Sequence, residues 1–136
     1  MDKKLKLYIG CSLTQAPEAF KASVEELKDR LRDKFEVLDF VGLVNGTPTD
    51  VYHHDVQNCV GTCDLFVAIC DYPAIGLGYE LGTAIESLHK PVLAVAQKDA
   101  HITRLVIGID APGFEFVRYH RFEDVFDLIV SRTEKL

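Results

Sequence analysis

An α/β fold, with a doubly wound, mostly parallel five-stranded sheet and helices on both faces, is the architecture that the sequence predicts. Its closest fold classes are flavodoxin-like and Rossmann-like. Three observations lead there. Short β-prone runs alternate along the chain with longer runs of helical periodicity. Two of the β-prone runs, Leu65–Cys70 and Pro91–Val95, contain no polar residue, as suits strands covered on both faces. The 136 residues, 48% hydrophobic and 26% charged, suit one domain over 1–136 with no linker, repeat or low-complexity tract.

The elements follow in order. Leu5–Ile9 is a β-prone run that ends at Gly10, a first strand. Pro17 fits the first turn of a helix, since its missing N–H would find no partner there. Phe20, Val24, Leu27, Leu31 and Phe35 then recur at spacings of 4, 3, 4 and 4, the apolar stripe of an amphipathic helix. Lys21, Glu25, Lys28, Asp29 and Arg32 fall on the opposite, solvated face. Glu36–Phe40 is the second strand, and Val41 to Thr49, with Gly42, Asn45-Gly46 and Pro48, is a loop. Asp50 is placed as the cap of a helix running to about Thr62. Leu65–Cys70 is the third strand, Asp71 to Leu77 a loop, and Gly78 to Leu88 a helix with Leu81, Ala84, Ile85 and Leu88 inward. Pro91–Val95 is the fourth strand. Asp99 to Ile109 has no clear period and holds at most a short helix. Phe114–Val117 is the last strand, and Phe122 to Ser131 the last helix.

Charge and cysteine content narrow the function. Fifteen Lys and Arg against 21 Asp and Glu give a net charge of -6, so no polymeric nucleic acid is expected as partner. A small anion is not excluded, because a helix N-terminus can hold one in an acidic protein. Met1-Asp2-Lys3-Lys4 is followed by no apolar signal segment, and no run is long enough to span a membrane. A cytoplasmic location with reduced Cys11, Cys59, Cys63 and Cys70 is therefore expected. His53, His54, Cys59 and Cys63 do not have the spacing of a zinc site, and no metal or other cofactor is expected.

Ligands of doubly wound sheets bind outside the carboxyl ends of the strands. That directs attention to Tyr8–Thr14, Val41–Asp55, Cys70–Glu80 and Gln97–Thr103. In the third of these, Gly76 and Gly78 let the backbone approach a ligand, and Glu80 is placed in the first turn of the following helix. There the free amides would favour its ionised form, a nucleophile for an electrophilic carbon. Glu is also simply favoured near helix starts, so spacing alone leaves both readings open. Gly76 and Gly78 do not complete a dinucleotide fingerprint, because its third position is Leu81. Asp55 is a candidate proton donor, and Asp71 a cap or a ligand contact.

These segments together resemble the nucleoside 2-deoxyribosyltransferase family. The likeness rests on Tyr8-Ile9-Gly10-Cys11-Ser12, on Asp55 upstream of Asp64–Ala68, and most specifically on Gly76–Ala84 followed by Lys90–Leu93. The family includes transferases that exchange bases and the 2'-deoxynucleoside 5'-phosphate N-hydrolases, to whose length and Gly-Tyr-Glu-Leu-Gly block this chain is closer. The resemblance implies Glu80 as nucleophile forming a glycosyl ester, Tyr8 as its positioner and Asp55 as the acid that serves the base. Gly10, Ser12, Asp71, Gly76, Gly78 and Thr103 are implied or placed as substrate-binding, Thr103 from a neighbouring subunit of a homodimer or higher homo-oligomer. The implied substrate is a nucleoside or nucleoside monophosphate, with water or a second base as acceptor. A nucleotide-binding sensor without turnover is the alternative.

The chain departs from the family pattern in three places. Asp55 stands nine positions before Asp64 where eight are expected, a gap that one residue inserted in the helix would explain. Thr14 occupies the place of an arginine in phosphate-binding members, and Ala74 that of a serine. Both changes remove hydrogen bonds to a phosphate.

Overall fold

The computed structural model describes residues 3–41 and 45–136. The Met1-Asp2 opening and Gly42 in the expected loop lie outside the described residues. Five strands, β1 (Lys6–Cys11), β2 (Glu36–Leu38), β3 (Leu65–Ile69), β4 (Val92–Gln97) and β5 (Phe114–Tyr119), form one sheet in the order β2-β1-β3-β4-β5. Every pairing is parallel, with Tyr8 opposite Leu38 on one side and Phe66 on the other. This is the doubly wound order, whose switch point falls between β1 and β3.

Alternation along the strands splits the core in two. Leu7, Ile9, Leu65, Val67, Ile69, Leu93 and Val95 face α1 (Glu18–Arg32) and α5 (Asp124–Thr133), meeting Val24, Leu27, Leu31, Val125 and Ile129. Tyr8, Phe66, Ala68, Val92 and Ala94 face the other way, onto Cys59, Val60, Leu77, Leu81 and Ala84. The helices of that second face are α2 (Pro48–Tyr52), α3 (Ile75–Gly82) and the short α4 (Arg104–Ile107). Beyond Tyr52, α2 continues as a wide π-helical stretch, His53–Val60, in which the Gly61 amide bonds the Val56 carbonyl five residues back. A second wide stretch, Thr83–Ser87, extends α3, and the Leu88 amide bonds the Thr83 carbonyl.

Three expectations are corrected. Lys28 is not on a solvated face: it is 1% exposed, its ammonium 3.0 Å from Glu25, 3.7 Å from Asp39 and 3.9 Å above the Phe40 ring. Its long stem crosses the edge of the apolar stripe and delivers the charge to the end of β2. The cap of α2 is Thr47, whose hydroxyl accepts from the Asp50 amide while the Asp50 carboxylate accepts from the Thr47 amide. Asp50 is thus the second half of a capping box, three residues into the helix. Finally, α3 begins at Ile75, earlier than the expected Gly78, because the chain enters helical dihedrals directly after the extended Ala74.

Candidate active site

The carboxyl ends of β1 and β3 open into a cavity of about 690 Å³. Tyr8 projects into it from β1. Its ring is 1% exposed and lies against Phe66 of β3, 5.4 Å between centroids and 24° between planes. Gly10, two residues on, is small by necessity. A Cβ there would come within 2.9 Å of Phe66 Cε1 and 3.0 Å of Leu77 Cδ1, wedging apart the ring that supports Tyr8.

Glu80 reaches the same cavity from α3. Because the helix starts at Ile75, Glu80 is in its second turn and not beside the free amides of the first. The expected stabilisation of its charge by those amides is therefore corrected. What governs Glu80 is burial, which pushes its pKa from 4.5 up to about 7; the Tyr8 hydrogen bond pulls the other way, and the nearby Asp55 charge adds to the rise. The Tyr8 hydroxyl donates to Glu80 Oε2 at 2.5 Å. Burial and the Glu80 charge together hold the Tyr8 phenol far above its usual range, so it remains a donor at any working pH.

Asp55 completes the group from the wide-wound part of α2. Its Oδ1 accepts from the Val41 amide at 3.0 Å, which ties the helix to the chain leaving β2, and the residue lines the cavity. A π-helical turn takes up one residue more than an α-helical turn, by bonding i to i+5. The wide winding of His53–Val60 thus gives a physical place to the extra residue counted between Asp55 and Asp64. The remaining wall is mostly apolar, with Phe40, Val51, Val56 and Leu77 inside and Tyr52, Ile75 and Tyr79 at the rim.

No family model matches the chain. It is 29% identical over 137 residues to a protein of Nematostella vectensis, covering 93% of this chain and 92% of that one. That relative carries the provisional name 2'-deoxynucleoside 5'-phosphate N-hydrolase 1. A solved structure of a CMP N-glycosidase from Clostridium botulinum superposes with a TM-score of 0.67 at 18% identity, over 92% of this chain and 98% of that one. The chain shares its fold with that CMP N-glycosidase. The doubly wound fold is shared as well with part of a lysine decarboxylase from Francisella novicida, at a TM-score of 0.55 and 11% identity over 18% of that larger chain.

Within this doubly wound fold, Tyr8, Asp55, Glu80 and Gly76 line one cavity. The other sequence-expected residues sit elsewhere. Ser12 is buried behind the first loop, its hydroxyl accepting from the Gln15 amide at 3.0 Å. Gly78 faces open space on α3. Thr103 caps α4, its hydroxyl accepting from the Leu105 amide at 3.3 Å. Asp71 turns to the opposite face, where its Oδ2 accepts from the Tyr119 hydroxyl at 2.6 Å and the Gln97 amide at 3.1 Å. There it borders a separate cavity of about 460 Å³ with Gln97, Asp99 and Ala100. Burial raises the Asp71 pKa, against which its hydrogen bonds act.

The cysteines keep their thiol form. Burial lifts Cys59 to about 12, Cys63 to about 11 and Cys70 to about 12, and all four are free. Among the described residues, no three or more His, Cys, Asp and Glu side chains cluster to hold a metal ion. Among them, too, no helix is long and apolar enough to cross a membrane. Gln15, Phe40, Tyr52 and Tyr79 were not singled out individually by the sequence, yet they line the cavity. One available signal was an aromatic such as Tyr79 lying off the Leu77, Leu81, Ala84 stripe of its own helix.

Proposed function

We propose that the protein cleaves the N-glycosidic bond of a nucleoside-type substrate, with Glu80 as nucleophile. The observation that carries this reading is the Tyr8 hydroxyl fixed on Glu80 Oε2 at 2.5 Å, in a cavity that Asp55 also lines. The names of the two similar proteins, one an N-hydrolase and one an N-glycosidase, support the same bond as the target.

In the first step a Glu80 carboxylate oxygen attacks the anomeric carbon, forming a C–O ester as the C–N bond to the base breaks. The bonding electrons leave with the base nitrogen, which takes a proton from Asp55. Tyr8 holds the attacking carboxylate in one orientation through its single hydrogen bond, leaving the other oxygen for the substrate. In the second step water attacks the same carbon and gives its proton to the Asp55 carboxylate, releasing the sugar and restoring both the Glu80 carboxylate and the Asp55 acid. A second base in place of the water would give exchange in place of hydrolysis.

Base release from a panel of nucleosides and monophosphates, with and without a second free base and followed by chromatography, tests this. Release without added base marks a hydrolase, and a new nucleoside formed only with added base marks a transferase. No base released or exchanged from any substrate would refute the assignment.

A further inference from the structure

We propose that His54 is a positioning residue that holds the Asp55 carboxyl towards the substrate, a refinement that rests on the reading of Asp55 as the acid serving the base. His54 stands outside the cavity wall, half-buried on the wide-wound part of α2, and acts through the chain leaving β2.

Three side chains of the wide winding fasten onto two residues of that chain. The His54 Nε2–H donates to the Asp39 carbonyl at 2.6 Å, and the Cys59 thiol donates to the same oxygen at 3.4 Å. A carbonyl only accepts, so Nε2 carries a proton whether the imidazole is neutral or charged. Two residues further along, the Val41 amide donates to Asp55 Oδ1 at 3.0 Å. His54 and Asp55 are thus neighbours on one side of this junction, and Asp39 and Val41 flank Phe40 on the other. The winding makes the double hold on Asp39 possible. Residues five apart in an α-helix stand roughly 140° apart around the axis, which would turn His54 and Cys59 to different sides. The i to i+5 bonding of the wide stretch brings such residues nearly into line.

The acceptor side is anchored from behind. The Arg32 Nη2 donates to both oxygens of the Asp39 carboxylate, at 2.9 and 3.0 Å, and the Lys28 ammonium lies 3.7 Å from it, which ties the end of β2 to α1. With Asp39 fixed, the His54 bond sets how far the wide turn stands from the strand end, and so whether the Val41 amide reaches Asp55. That amide occupies Oδ1 and leaves Oδ2 to carry the proton for the departing base. Without His54 the Cys59 thiol, a weak donor, is the remaining side-chain hold on the Asp39 carbonyl. The turn would then drift from the strand end, and a displacement of about 1 Å can cost about 100-fold in rate.

Base release by His54→Ala and His54→Gln, with His54→Ala made also in Asp55→Asn, tests the proposal. His54→Ala is expected to lower kcat at least about tenfold with KM within about twofold. His54→Gln, whose amide still donates, should recover most of the loss. In Asp55→Asn, which keeps an acceptor for the Val41 amide but has no acid proton, His54→Ala should add nothing to the loss. Equal losses in both backgrounds, or no recovery with His54→Gln, overturn the proposal. Hydrogen exchange at the Val41 amide, read by NMR, is the second measurement and needs no turnover. His54→Ala should speed it at least about fivefold, and unchanged exchange overturns the proposal. Should His54→Ala fail to fold, His54→Leu keeps the bulk without the donor and carries the same comparisons. Faster Val41 exchange in the variant of a wild type that releases no base would uphold the hold on Asp55 and remove the N-glycosidic reading. Full base release by His54→Ala would do the reverse.

Discussion

Glu80 is held in a compromise that sets both activity and stability. Burial lifts its pKa to about 7, while the Tyr8 hydroxyl draws it down. Attack on carbon needs the ionised form, so kcat/KM should rise with pH through about 7 and level above it. Tyr8→Phe removes the lowering influence. Its acidic limb should therefore move to higher pH, with kcat reduced on the plateau, as a pH–rate profile would show. An unmoved limb would separate Tyr8 from the ionisation of Glu80.

The same shift is a stability statement. Below pH 4.5 Glu80 is protonated whether the chain is folded or not, and costs nothing. Between 4.5 and about 7 only the folded state keeps the proton, so stability falls as pH rises, and the full penalty persists above. A shift of this size corresponds to roughly 3 kcal/mol. Glu80→Gln should accordingly melt higher than the wild type at pH 8, with the gain shrinking towards pH 4.5. A constant difference between the two across that range would show that the penalty is not ionic.

At the scale of elements, the wide winding of α2 is what brings Asp55 to the site. It depends on Gly61, where an added Cβ would run into the Gln57 carbonyl inside the helix. Gly61→Ala should cost roughly 2 kcal/mol, near the upper range for single substitutions, and lower base release at temperatures where the variant is still folded. Thermal unfolding together with activity checks this. An unchanged melting curve with full activity would mean that the wide turn is not required.

The elements differ in how legible they were. The five strands were readable because their apolar runs are short and sharply bounded, and the parallel sheet follows from the alternation with helices. The start of α3 was not, because Ile75, Gly76 and Leu77 follow Pro73-Ala74 with no capping side chain to announce a helix. That displacement by three residues reversed the sign of the argument about Glu80. The burial of Lys28 was hidden for a related reason. Its fate depends on Phe40 and Asp39 arriving from β2, contacts that lie outside the periodicity of α1. Of the site, Tyr8, Asp55, Glu80 and Gly76 were legible as loop-end residues. Asp71 fits the same pattern, yet its carboxylate is turned to the other face by Tyr119.

At the scale of the whole molecule, the cavity mouth is conspicuously apolar. Ile75 is 95% exposed, and Tyr79 and Tyr52 beside it are about half exposed. Gly76, Gly78 and Gly82 leave open space along the same helix. A second copy of the chain is the occupant proposed for this rim. Sedimentation should then give a mass at least twice 15.2 kDa, and Ile75→Lys should shift it towards the monomer with loss of base release. A monomeric wild type with full activity would remove the second copy from the account.

The most direct test of the central claim is peptide mass analysis after acid quenching during turnover of a nucleoside. A glycosyl adduct on the peptide containing Glu80, absent in Glu80→Gln together with base release, is the predicted result. Undiminished base release by Glu80→Gln would contradict it.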